Sequence, residues 1–357
     1  PQTTSANALA ENSLTPLEKK VVEQINTDNP AYLSFLKQTV NMNSGSLNVQ
    51  GVKNVGAVYT KKLQALGFET NWIDMPKEMN RAGHLVATRS FGSAHPHILL
   101  MGHIDTVFSI DSPVQTFIES KNAAGRSIAK GPGVGDMKGG NTVIFAALDA
   151  LIKNKALSQG TITVFFTGDE EYTGKPMALA RESLISAGKQ ADVALNFEGG
   201  CPDQVVIGRR GFSSWMLHTK GQPAHSSTIF NAQTGAGANF ELGRIINDFY
   251  QQVRGEHGLT FNVSKIVGGT EVTWGETASV SGKKNVVAQV AQAEGEIRFM
   301  DQAQLMRTRS KMQEIVAKHL PKTSATIVFE AGYPAMEATD SNKALLAKLN
   351  QVQEALG

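Results

Sequence analysis

A chain of 357 residues, 41% hydrophobic and 18% charged, is long enough for two domains with ordinary cores. Its 34 Lys and Arg against 32 Asp and Glu leave a formal charge of +2, and the basic residues are scattered among the acids, which argues against a nucleic-acid binder. Cys201 is the single cysteine, so no intrachain disulfide can form and any metal ligands must be His and carboxylate; no apolar stretch approaches bilayer length, so no membrane partner is expected.

The chain opens at Pro1, and residues 2–10 are small and polar, like a mature end left after signal-peptide removal. That points to a periplasmic or secreted protein, with a cytoplasmic one as the alternative. Thr15-Pro16-Leu17-Glu18 resembles a helix start, and Leu17, Val21, Val22 and Ile25 recur at helical spacing. Residues 52–66 read as a second amphipathic helix stopped by Gly67, and strands are expected at 69–73, 84–90 and 97–101. A helix over 139–153, with Val143, Ile144, Ala147, Leu148 and Leu151 on one face, precedes a strand at 161–166, a βαβ alternation.

At Gly208-Arg209-Arg210-Gly211 the character changes. Strand 212–219, helix 238–253, strand 259–267, strand 285–300, helix 302–319 and strand 325–330 follow, an order that suggests a split βαβ unit with two helices on one face. The expected fold is therefore α/β: residues 1–210 form the first part of a domain with a mainly parallel central sheet. Residues 211–322 form an inserted α+β, ferredoxin-like domain hinged at Gly208, Gly211 and Pro321, and 323–357 return to the first domain, helical from Ser341.

Four short stretches carry the chemistry: His103-Ile104-Asp105-Thr106-Val107, Gly135-Asp136-Met137-Lys138-Gly139-Gly140, Asp169-Glu170-Glu171 and Asn196-Phe197-Glu198-Gly199-Gly200. Three of them follow continuous apolar runs (Ile98 to Met101, Ile162 to Phe166, Val193 to Asn196), as expected of strands buried on both faces of a parallel sheet. Their charges then fall at the carboxyl edge of the sheet, where open α/β folds bind ligands. Asp105, two residues beyond His103, shares its side in extended chain and can hold the second imidazole nitrogen. Glu170 and Glu171 point to opposite sides in extended chain, so one can bind metal while the other acts as a general base. Each stretch alone has an ordinary explanation, such as a helix cap at Asp136 or a solvated glutamate pair. Together they are the ligand chemistry of zinc, with one carboxylate more than a single ion needs, which suggests a bridged pair.

In order and spacing these stretches resemble the co-catalytic zinc metallopeptidases of the carboxypeptidase G (glutamate carboxypeptidase), acetylornithine deacetylase and aminoacylase family, over nearly the whole chain. The resemblance implies that His103 and Glu198 hold one zinc, that Glu171 holds the other and that Asp136 bridges them, with cobalt or manganese as substitutes. It makes Glu170 the general base and Asp105 the partner of His103, and it implies a cis peptide at Asp136-Met137. Gly221-Gln222-Pro223-Ala224-His225-Ser226-Ser227 is similar to the family's lid motif, whose histidine reaches the active site of a partner subunit and polarises the scissile carbonyl. That implies a homodimer through the inserted domain. Asn285 and Arg298 are similar in position to the family's substrate-carboxylate binders, and a guanidinium fork suits a carboxylate.

The family's last zinc ligand is a histidine near the C-terminus, whereas the final histidine here is His319, in a Lys-rich helix end that does not match that motif. The expectation is a chain whose last several dozen residues are missing, and the activity of the 357-residue form is left open by that ligand. The implied function is zinc-dependent hydrolysis of an amide next to a free carboxylate, in a small peptide or N-acyl amino acid. An N-acyl-amino-acid deacylase is the alternative within the class, and a non-catalytic binding protein on a peptidase scaffold the alternative outside it. Glu170 argues against the last, since a binding relic has no use for a general base.

Overall fold

Thr15 caps the first helix as its sequence indicates: its hydroxyl accepts from the Glu18 amide while the Glu18 carboxylate accepts from the Thr15 amide, a reciprocal capping box. The computed structural model describes residues 14–200, 204–275 and 277–357; the small polar beginning of the chain and Cys201 lie outside them. The chain divides into two units, one running to Gln204 and including Val352–Gly357, the other spanning Val205–Gln351.

In the first unit, α1 (Pro16–Val40) and α2 (Val49–Ala65) precede β1 (Glu69–Ile73), β2 (His84–Ser90) and β3 (His97–His103). A hairpin of β4 (Ile118–Lys121) and β5 (Ser127–Lys130) leads to α3 (Gly139–Lys153), β6 (Thr161–Thr167), α4 (Met177–Gln190) and β7 (Val193–Asn196). The sheet order is β1-β2-β6-β3-β7. β3 pairs parallel with both β6 and β7, and β2 runs against its neighbours β1 and β6, so four of the five strands share one direction. The parallel register sets His103 beside Thr167, which brings the His103 and Asp169 stretches out at one edge of the sheet.

The core of this unit joins Val52, Val55, Tyr59 and Leu63 of α2 to Ile144, Phe145 and Leu148 of α3 and to Leu100, Val164 and Phe166 of the sheet. Tyr59 meets Phe145 at 5.1 Å and Phe166 at 5.2 Å between ring centroids, contacts worth about 0.5–1.5 kcal/mol each beyond the area they bury. The expected helix face is shifted by this cluster: Phe145 is fully buried, whereas Val143 is exposed. β7 also departs from expectation. It alternates half-buried and exposed residues, because β3 is its only neighbour in the sheet among the described residues. The helix α4 had no clear periodic signal and was not expected.

In the second unit, β8 (Gly211–Lys220), α5 (Ala238–Gln252), β9 (Thr260–Phe261), β10 (Lys265–Gly269), the hairpin of β11 (Glu271–Thr273) and β12 (Ser279–Ser281), β13 (Val290–Phe299), α6 (Gln302–Val316) and β14 (Ser324–Ala331) follow in order. The helix α7 (Asp340–Leu356) closes the described chain. The main sheet is antiparallel, β10-β13-β8-β14. Trp215, Leu217, Ala291, Ala293, Ile297 and Phe299 face one side and pack on Leu242, Ile245 and Phe249 of α5 and Leu305, Met312 and Ile315 of α6, the helices-on-one-face arrangement expected. The boundary expected at 322 is corrected, since Ser324–Ala331 pairs with β8 along its whole length and belongs to this sheet. The strand expected over 259–267 is broken into β9 and β10, and 285–289 is loop. Among the described residues no helix is long and apolar enough to cross a membrane.

Candidate active site

The site is built from the carboxyl ends of β3, β6 and β7 and the turn before α3. His103, the last residue of β3, is 1% exposed. Its Nε2 lies 2.9 Å from Asp136 Oδ1 and 3.5 Å from Glu198 Oε2. These three residues can each offer a ligand atom within 4.8 Å of the others, one imidazole nitrogen and two carboxylates, a donor set that fits a divalent cation of the zinc class. Asp136 sits in the Gly133 to Lys138 turn, and the Asp136-Met137 peptide is cis, as the resemblance implied. Gly140 lets the start of α3 lie against the end of β7, for a Cβ there would sit 1.9 Å from the Phe197 carbonyl oxygen.

The second imidazole nitrogen is held differently from expectation. His103 Nδ1 lies 2.9 Å from the backbone carbonyl of Asp105 and 3.5 Å from its carboxylate. A ring N–H donated to that carbonyl leaves Nε2 free to ligate. The Asp105 carboxylate is fully buried and accepts from three other donors: the amide of Glu170 at 2.9 Å, the amide of Glu171 at 3.1 Å and the Ser46 hydroxyl at 2.6 Å. Burial works to raise its pKa, but the His103 and Ser46 hydrogen bonds and the His103 charge outweigh that, and the carboxyl is held below the ordinary Asp range. Asp105 therefore aims the two glutamates. They lie in a turn rather than in extended chain.

A second buried carboxylate holds that turn from its other side. Asp169 accepts from the Gly174 amide at 2.8 Å and from Arg181 at 2.6 Å, and Arg181 also donates to the Asp169 carbonyl at 3.0 Å. Neither Ser46 nor Arg181 carries a signal in the sequence that ties it to this site, since Ser46 meets Asp105 across 59 residues and Arg181 meets Asp169 across a 12-residue separation that no single helix or strand repeat supplies. Asn141, at the start of α3, donates to the His103 carbonyl at 2.6 Å. The buried Lys138 ammonium donates to the carbonyls of Thr39 and Met42, both at 2.9 Å, and burial pushes its pKa down to about 7.

Crowded acids shape the electrostatics. Burial and then the Asp136 charge push Glu171 up to about 7. Burial also raises Glu170, helped by Glu198, Asp105 and Asp136 and opposed by His103. Burial and a hydrogen bond with Glu198 raise Asp136, while His103 and Asp136 hold Glu198 low against its own burial. Burial disfavours the imidazolium, yet Asp105 and Glu198 carry the His103 pKa up to about 11.

Of the residues expected here, His103, Asp105, Asp136, Glu170, Glu171 and Glu198 are brought together in the first unit, with Glu171 outside the three-residue ligand group. His225, Asn285 and Arg298 belong to the second unit. There the His225 and Asn285 segments are zipped by a backbone bridge, and His225 Nε2 lies 3.3 Å from the Asn285 side-chain amide. Arg298 is engaged by Glu296, two residues back on the same face of β13, with contacts of 2.9 and 3.2 Å, and its guanidinium lies 5.2 Å from the Phe212 ring centroid. His319 is no metal ligand in the described structure; its Nδ1 lies 3.4 Å from Glu241.

A profile of the peptidase family M20/M25/M40 matches residues 99–357. Carboxypeptidase G2 of Pseudomonas sp. (strain RS-16) is 25% identical over 347 residues, which cover 95% of this chain and 77% of that protein. Succinyl-diaminopimelate desuccinylase of Acidiphilium cryptum (strain JF-5) is 29% identical over 284 residues, 76% of this chain and 69% of the desuccinylase. Among solved structures, aminopeptidase PepT of Bacillus cereus ATCC 10987 has the same fold with a TM-score of 0.68 at 18% identity, covering 88% of this chain and 79% of PepT. The YXEP protein of Bacillus subtilis, described as a dinuclear metal binding peptidase from M20 family, gives 0.56 at 16% identity over 91% of this chain and 81% of its own. The chain belongs to the peptidase family M20/M25/M40 and is a metal-dependent hydrolase.

Proposed function

We propose that this hydrolase cleaves an amide bond next to a free carboxylate, as a glutamate-carboxypeptidase-like exopeptidase. The observation that carries this reading is the meeting of His103, Asp136 and Glu198 within ligand distance, beside two glutamates aimed by Asp105. The relative named a desuccinylase supports N-acyl-amino-acid deacylation as the second reading, since the same centre serves either acyl group.

In this proposal His103 and Glu198 would hold one divalent ion and Glu171 the other, with Asp136 available to both; the donor set favours zinc, with cobalt or manganese as substitutes. When bound, such ions would supply Lewis-acid polarisation of the amide carbonyl and acidify water. Glu170 takes a proton from the attacking water and passes it to the leaving amine; its raised pKa moves it toward the pH at which such a base works best. Asn285 and Arg298 take the substrate carboxylate, and Arg298 exchanges part of its Glu296 contact for it. His225 is supplied across a homodimer and donates to the scissile carbonyl.

Four outcomes test the proposal. Glu170→Gln keeps shape but not the base, so turnover should fall by about 100-fold or more with metal content unchanged; equal hydrolysis of acyl-amino acids by variant and parent rejects the role. Arg298→Ala should weaken substrates with a free α-carboxylate by about 1.5–3 kcal/mol, the size of a charge-assisted hydrogen bond, and spare the corresponding esters. Equal losses for both would remove Arg298 from carboxylate binding. Mixing His225→Ala with Asp136→Ala protein should restore activity as subunits exchange, and no recovery places His225 outside a shared site. Finally, protons compete with metal at a carboxyl whose pKa stands near 7, so Glu171 is ionised and ready at pH 8 but protonated at pH 6. His103, held at about 11, must shed a proton across this whole range, so apparent zinc affinity by chelator competition should fall from pH 8 to 6, more steeply below pH 7 where Glu171 adds its own proton, by about tenfold per pH unit for each proton displaced. A flat profile from pH 8 to 6 would contradict the ligand assignment.

A further inference from the structure

Beside Glu171 the first unit opens a cleft of about 510 Å3 between residues 45–48, residues 106–110 and the turn at 171–172. Its walls carry four large apolar side chains left open to water: Leu47 at 58% exposure, Val107 at 67%, Ile110 at 68% and Tyr172 at 57%. Scattered exposed hydrophobics are ordinary, but four converging on one concavity are the mark of a binding surface.

The cleft is built rather than loose. The Thr106 amide donates to the Ser44 carbonyl at 2.9 Å and the Ser46 amide to the Thr106 carbonyl at 3.2 Å, zipping the two walls together. Gly45 permits that approach, since a Cβ there would lie 2.5 Å from the Phe108 carbonyl oxygen. The Tyr172 ring is held by the Arg81 guanidinium, 4.4 Å from its centroid. Ser46, in the cleft wall, donates to the same Asp105 carboxylate that aims Glu170 and Glu171, so the cleft is continuous with the catalytic acids.

We propose that this cleft is the subsite for a large apolar group on the acyl side of the scissile amide, making the enzyme selective for bulky aliphatic or aromatic acyl or aminoacyl groups. The assignment rests on the reading under Proposed function, which gives the carboxylate-bearing leaving half to Asn285 and Arg298 and so leaves the acyl half for an apolar surface beside Glu171. Leu47 and Ile110 are the specificity-determining side chains, being the most exposed of the aliphatic walls on the two facing segments.

The test is a series of N-acyl glutamates (acetyl, hexanoyl, phenylacetyl) on the metal-loaded full chain. kcat/KM should rise roughly tenfold or more from acetyl to the larger groups, and the double variant Leu47→Asn, Ile110→Asn should bring that ratio close to one. A ratio near one in the parent, or a ratio the double variant retains, overturns the proposal. Should no member of the series be hydrolysed, the Proposed function fails while the cleft is still decided by calorimetry with the acids alone. Hexanoate and phenylacetate should then bind roughly tenfold tighter than acetate in the parent and no tighter in the double variant, and equal affinities in the parent overturn the subsite.

Discussion

One buried carboxylate organises the catalytic unit. Asp105 lies just past the end of β3, and its two oxygens accept from the amides of Glu170 and Glu171 beyond β6 and from the Ser46 hydroxyl ahead of α2. Hydrogen bonds to a charged group contribute about 1.5–3 kcal/mol each, and a buried carboxylate without them is costly. Three chain segments distant in sequence are thus held in one register by a group that no water reaches. Because Asp105 binds the backbone of the glutamates, their side chains remain free for other partners.

The acids of the site divide by burial into two kinds of work. Asp105 and Asp169, both fully buried, spend their oxygens on amides, a hydroxyl and the Arg181 guanidinium, and so act as anchors. Asp136, Glu170, Glu171 and Glu198 keep solvent-facing surface and crowd one another, which raises the pKa of all but Glu198. The anchors are what make the crowding tolerable: like charges would move apart if their backbones were not fixed from behind. Geometry is thereby prepared before any cation arrives, which is the condition for tight and selective metal binding.

Much of this was legible from the strand ends, because a parallel sheet puts the residues after each continuous apolar run at one edge. The strands β3 and β6 follow that logic closely, and β2 and the helix α3 stand at the bounds their sequences indicate. What escaped the sequence depends on contacts between distant residues. The His103 ring is held by the Asp105 carbonyl, which every residue possesses and no pattern can flag. Phe145 displaces Val143 from the core because Tyr59 and Phe166 stack there, and β14 joins the second sheet because Ile327 and Phe329 continue its apolar face. Arg298 reads as a free cation until the strand is seen to set Glu296 on the same face, two residues away.

The second unit repeats on a smaller scale the habit of fixing a reactive group through its neighbours' backbones. His225 caps the short turn at Ser226–Thr228, and its Nδ1 accepts from the Ser227 amide at 3.2 Å. On the other side of the ring, Nε2 lies 3.3 Å from the Asn285 side-chain Nδ2. The Asn285 carbonyl in turn accepts from the Ser226 amide at 2.9 Å, so the two loops cannot shift independently. The ring is thus oriented at Nδ1 by the turn it caps and at Nε2 by the Asn285 side chain. His103 is oriented by the same short reach along the chain, but toward a carbonyl rather than an amide: its Nδ1 meets the backbone of Asp105, two residues on, as the His225 Nδ1 meets that of Ser227. Each imidazole takes its direction from the backbone of the loop it stands in, which needs no partner from elsewhere in the fold.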